Sequence, residues 1–141
     1  MSESRAIVRR IDPVRVVIVA VAVLFGVVTL LAGGRVLLGS DPGYVVYRPL
    51  LLYNTTMGLA YVAAGIMVWR DLTRGKHAAG TIFLLNLLVL IGIVVVFRIG
   101  GAVAVDSLRA MSLRTAIWLM LFGATAWRAR TPPPRADTIL R

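Results

Sequence analysis

The stretch "AAGTIFLLNLLVLIGIVVVF" (Ala78–Phe97) decides the reading of this chain. It is a run of apolar residues broken by one amide, Asn86, and it carries no charge. A bilayer core of about 30 Å is crossed by roughly 20 such residues in a helix. The run is therefore a transmembrane helix, and the chain is to be read as a membrane protein.

Three further segments extend that reading. "VVIVAVAVLFGVVTLLAGG" (Val16–Gly34) and "PLLLYNTTMGLAYVAAGIMVW" (Pro49–Trp69) have spanning length and composition. The fourth is less clean: its apolar part, Thr115–Trp127, is too short alone. It reaches spanning length by starting at Leu108, which draws Arg114 about 9 Å into the bilayer. The expected fold is an all-α integral membrane protein with four transmembrane helices, at 16–34, 49–69, 78–97 and 108–127. A short N-terminal segment (1–13) and a proline-rich tail (129–141) flank one domain. The segment "AVAVDSLRAMSLR" (Ala102–Arg114) reads as an interfacial helix before the fourth span, with Asp106 and Arg109 paired at i, i+3. The first span begins after a basic stretch, as a secretory leader does. Its run is longer than the core of most leaders, which favours a retained helix.

Composition agrees. Of 141 residues, 59% are hydrophobic and 16% charged, and the mean hydropathy is +0.86. The net charge of +10 comes almost wholly from arginine, a bias that accompanies GC-rich genomes and points to a bacterial source. In so apolar a chain the excess suits anionic lipid headgroups and topology signals, and no nucleic-acid partner is expected. Eleven of the 16 cations fall in the two tails and the loop after the second span (Arg5, Arg9, Arg10, Arg15, Arg70, Arg74, Lys76, Arg128, Arg130, Arg135, Arg141). The other loops hold Arg35, Arg48, Arg98, Arg109 and Arg114. The positive-inside rule then places both termini in the cytoplasm of a bacterial inner membrane, with Trp69–Arg70 and Trp127–Arg128 as anchors at the inner interface.

Several chemistries are excluded by residue count. There is no cysteine, so thiolate metal sites, disulfides and cysteine nucleophiles are absent. There is one histidine, His77, expected in the cytoplasmic loop "RDLTRGKHAAG". No metal or cofactor site is expected within the chain. A cofactor shared with a partner would find one imidazole here, and bound lipid is the expected companion. Every carboxylate lies outside the spans, which argues against acid–base catalysis and proton-coupled transport.

The polar residues inside the spans are then packing candidates. Asn54, Gly58, Tyr61 and Gly65 follow a 4-3-4 spacing along one helix face, suited to a seam with another helix. Asn86 is expected to bond a backbone carbonyl or hydroxyl of a neighbouring helix and to miss Asn54. Arg48, Arg98, Asp106, Arg109 and Arg114 form an outer-side polar group together with the belt tyrosines Tyr44, Tyr47 and Tyr53. Within it, Arg114 is expected to snorkel outward or to meet a carboxylate. Helices two and four both end Gly-x-x-x-Trp-Arg, at Gly65–Arg70 and Gly123–Arg128, an echo that fits a parallel two-plus-two repeat. The functional expectation is a non-catalytic accessory or scaffold subunit that packs against membrane subunits of a larger bacterial complex, energy-transducing ones included, or self-associates. A small homo-oligomeric transporter or channel is the second expectation, and a membrane enzyme the third.

Overall fold

The computed structural model describes residues 12–43 and 46–131. Four helices follow one another: α1 (Pro13–Leu37), α2 (Arg48–Arg70), α3 (Leu72–Arg98) and α4 (Val105–Arg130). No strand occurs among the described residues. Three helices, α1 to α3, are long and apolar enough to cross a membrane. With 26 residues α4 runs about 39 Å, but Asp106, Arg109 and Arg114 keep its first half less apolar.

The helices run up and down in sequence order. One end, here called the lower, holds Asp12, Arg70, Asp71 and Arg128; the upper end holds Leu37, Arg48, Arg98 and Val105. α1 packs most extensively on α2 and α3 on α4, and α2 with α3 and α1 with α4 close the ring. Of the expected N-terminal segment (1–13) and tail (129–141), residues 1–11 and 132–141, with Arg5, Arg9, Arg10, Arg135 and Arg141, lie outside the described residues, as does Tyr44; Pro13 opens α1, and Ala129 and Arg130 belong to α4.

Two boundaries depart from the sequence reading. The loop "RDLTRGKHAAG" is not a loop: α3 starts at Leu72, and Asp71 alone separates it from α2. The Asp71 carboxylate accepts from the backbone N–H groups of Thr73 (2.8 Å) and Arg74 (3.2 Å), the bonds expected of an N-cap. The reversal is tight because Gly75 lies against α2; a Cβ there would sit 2.5 Å from the Val68 Cα. His77 is accordingly an exposed helical residue. Nor is there a separate interfacial helix. Val105–Arg130 is one continuous helix, with no proline in it and no glycine before Gly123 to break it where the expected interfacial segment meets the span.

The α1–α2 seam rests on small residues. The buried face of α1 is Ile18, Ala22, Gly26, Thr29 and Gly33. Facing it are Gly58 and Gly65 of α2, whose added Cβ atoms would meet Leu30 and Gly26, and Val23 and Ala22. At Gly26 a Cβ would lie 2.8 Å from the Gly58 carbonyl oxygen, so the two backbones are in direct contact. Gly123, the counterpart of Gly65 in the sequence echo, has nothing within 4 Å. The shared motif therefore serves different packing in the two halves.

Candidate functional site: a donor-rich polar cluster inside the bundle

Apolar helices leave their few polar side chains two places to go: the rim, or one another. In the upper half of this bundle they meet one another. Asn86 of α3 is fully buried. Its Oδ1 accepts two phenol hydroxyls from α2, Tyr61 at 2.9 Å and Tyr53 at 3.1 Å. The two tyrosines are eight residues apart, about two helical turns, and therefore lie on one face of α2. They close on the amide from either side. The expected hydroxyl partner for Asn86 is thus found within the chain. Tyr53 is corrected from a belt residue to an interior one, because the amide offers it an acceptor that lipid does not.

The ring of Tyr61 sits between Phe25 of α1 and Trp118 of α4, with centroid separations of 5.7 Å and 4.8 Å. Trp118 is 1% exposed and Met111, about two helical turns above, is fully covered. Sequence reasoning gave Trp118 no role. Its signal was its place four residues after Arg114, on the same side of α4.

Arg114 is the main correction. It neither snorkels to the rim nor reaches Asp41 or Asp106. Its Nη1 donates to Asn54 Oδ1 on α2 and lies 3.8 Å from Met111 Sδ. The reason is local. Asp106 is taken by Arg109 at 3.4 Å, and Asp41 accepts from the Gly43 backbone N–H at 2.8 Å. Arg114 also starts about two and a half turns below the top of α4, at a level where its guanidinium reaches the Asn54 amide of α2. The expected outer-side group therefore separates. Asp106 and Arg109 form their exposed pair, Arg48 and Arg98 are exposed and make no ion pair among the described residues, and Arg114 turns in. The 4-3-4 face of α2 separates too: Gly58 and Gly65 face α1, while Asn54 and Tyr61 serve the cluster.

A hydrogen-bond account of the cluster leaves donors over. Asn86 Nδ2, Arg114 Nε and Trp118 Nε1 are buried and donate to no protein acceptor among the described residues. Every one of these three atoms is a donor, and one belongs to a cation. No acid lies among the cluster residues.

At the lower rim the polar groups are satisfied. Arg128 Nε meets Asp12 Oδ2 at 2.5 Å. Arg15 donates to the carbonyls of Val68 (2.8 Å) and Trp69 (2.6 Å), placing a cation at the C-terminus of α2, where the helix dipole favours it. Trp69 and Trp127 are more than half exposed at this level, and Arg70 is exposed beside them. Asp71 is held below the usual carboxylate range, first by the Arg74 backbone N–H and then by that of Thr73.

A shallow groove of about 320 Å³ runs past Lys76 and His77 to Phe83 and Phe122. It contains no carboxylate to work with the imidazole, and the described residues hold no group of three metal-ligating side chains. Comparison with known proteins finds no matching family, no matching curated protein and no matching solved structure.

Proposed function

We propose that the chain is a non-catalytic subunit or scaffold of a bacterial inner membrane. In this reading all four helices span, both termini face the cytoplasm, and the bundle packs laterally against other membrane subunits or its own copies. The observation that carries it is how the polar residues of the spans are used. Asn54, Tyr53, Tyr61, Asn86 and Arg114 turn toward one another, which leaves the outside of the bundle to Leu24, Val28, Leu31, Leu59, Leu88, Ile91, Leu119 and Met120. Exposed glycines on α3 and α4, Gly92 and Gly123, meet nothing within 4 Å and offer a neighbouring helix close approach. A transport path is disfavoured below the cluster, where Ile18, Ala22, Ala64, Val68, Ala79, Ile82 and Leu121 form a buried apolar layer. Catalysis is disfavoured by the lack of carboxylates among the cluster residues. Anionic lipids suit the lower rim, where Arg70 and Arg74 are exposed.

The experiment is extraction of native membranes in mild detergent, followed by native-gel separation and mass spectrometry. A stoichiometric partner in a larger assembly is the expected result. Migration as a lone monomer that is active in solute flux would overturn the reading. Orientation is checked separately on this cysteine-free chain. Ser40→Cys should react with an impermeant maleimide in intact cells, and Lys76→Cys only after permeabilisation.

A further inference from the structure

We propose that the groove between the lower ends of α3 and α4 is a binding site for one anionic phospholipid, with its phosphate on Lys76 and His77 and the start of an acyl chain against Leu84 and Phe122. This deepens the reading that anionic lipid meets the lower rim. It rests on that reading's placing of the lower end at the membrane surface, and it needs no partner subunit.

Three observations converge. The first is level. Gly80 of α3 abuts Phe122 of α4, since a Cβ on Gly80 would lie 3.0 Å from the Phe122 ring. The two helices are antiparallel, so five residues toward the lower end, about 7.5 Å, brings Gly75 level with Trp127. Lys76 and His77 therefore stand beside an exposed tryptophan, a residue enriched at headgroup level.

The second is charge. Lys76 and His77 both line the groove, and no carboxylate does. Lys76 is half-buried and makes no ion pair among the described residues. The described carboxylates at this end are engaged, Asp71 by Arg74 and Asp12 by Arg128. Arg130 is exposed, and it lies eight residues on from Phe122 along the same stripe of α4, which adds a third cation at the mouth. Basic pockets between helices at the cytoplasmic surface suit anionic headgroups.

The third is shape. Above the cations the groove turns apolar, with Phe83, Leu84 and Phe122 in its lining and Gly80 contributing no side chain. From Lys76 to Leu84 is a rise of about 12 Å, enough to lead a bound molecule from headgroup level into hydrocarbon. The groove holds about 320 Å³, and a free phosphate would use only its polar end.

The test is native mass spectrometry of the purified full chain, released from detergent after titration with phosphatidylglycerol or with phosphatidylcholine of the same acyl chains. One phosphatidylglycerol should bind about tenfold more tightly than phosphatidylcholine. Lys76→Gln should weaken phosphatidylglycerol about fivefold, the share of one cation near an anionic lipid, and leave phosphatidylcholine unchanged. Thr81→Phe fills the groove from an exposed position without changing charge, and it should remove the tight site for both lipids. Arg98→Gln removes one charge at the opposite end of α3 and should change nothing. No preference in the wild type, unchanged binding in Lys76→Gln or in Thr81→Phe, or an equal loss in Arg98→Gln would overturn the proposal. So would displacement of the lipid by inorganic phosphate at constant ionic strength, which would assign the cations to a free anion. A chain that stays dispersed without detergent would overturn the membrane placement itself, before any lipid is added.

Discussion

The α1–α2 seam and the α2–α3–α4 junction are held together by different physics. In the seam, Gly26 and Gly58 remove side chains so that two backbones touch. In the junction, Tyr53, Tyr61, Asn86, Asn54 and Arg114 add polar groups that bond across the helices. In a membrane neither interface gains from excluding water, so close packing and polar pairing are the two means left. The seam is unforgiving of added volume, since the opposing atom is a carbonyl oxygen. The junction tolerates shape changes better and responds instead to lost donors and acceptors.

The sharpest way to break that contrast is Gly26→Ile. The branched side chain must displace α2 itself, so we expect a loss of about 3 kcal/mol or more, at the upper limit for overpacking, read by detergent-denaturation stability. The same change at Gly123, which faces open space, should cost less than about 1 kcal/mol. Equal effects at the two sites would refute the seam.

Next in size is Asn86→Leu. It strips the shared acceptor from one buried and one half-buried phenol, at an expected cost of about 2 kcal/mol. A double-mutant cycle with Tyr61→Phe isolates the interhelical bond, for which about 0.6–1.7 kcal/mol of coupling is expected. Zero coupling would mean that the junction is held by its aromatic packing alone.

At the lower rim, Arg128→Ala should cost about 1 kcal/mol, because its pair with Asp12 is only about one-fifth exposed on either side. The loss should also loosen the start of α1, where Asp12 Oδ1 accepts from the Val14 N–H at 3.2 Å. Hydrogen exchange at the first turn of α1 checks this.

The smallest expected effect concerns pH. Asp71 is depressed below its ordinary value by the N–H groups it caps, so its stabilising contribution is fully present above the unfolded carboxylate range, near 3.9. It is lost as pH falls through the folded value. Asp71→Asn should flatten stability across that acid window, with a small loss at pH 7, where the ionised cap contributes, and little change below the window.

The sequence carried the spans well. Val16–Gly34, Pro49–Trp69 and Ala78–Phe97 all lie inside observed helices, because long uncharged runs have one solution in lipid. It carried the α2–α3 turn poorly. Charged residues such as Arg74 and Lys76 read as loop, yet a capping Asp71 and a packed Gly75 let the helix begin among them. The small stripe Ala22, Gly26, Thr29 and Gly33 has the same 4-3-4 spacing as the α2 face. It was hidden because α1 is apolar all round, so no polar contrast marks the inward side.

Composition and hydropathy by themselves determined that this chain is a cysteine-free, arginine-rich helical protein with segments that can cross a bilayer. They also determined that its spans hold no acid. Those properties sum over residues and need no partner to be evaluated. The tertiary structure decided the directions of the few polar side chains. Arg114 sits where snorkelling and inward pairing both satisfy local sequence rules. The choice fell to Asn54, sixty residues away and across the bundle, because Asp106 and Asp41 were already engaged.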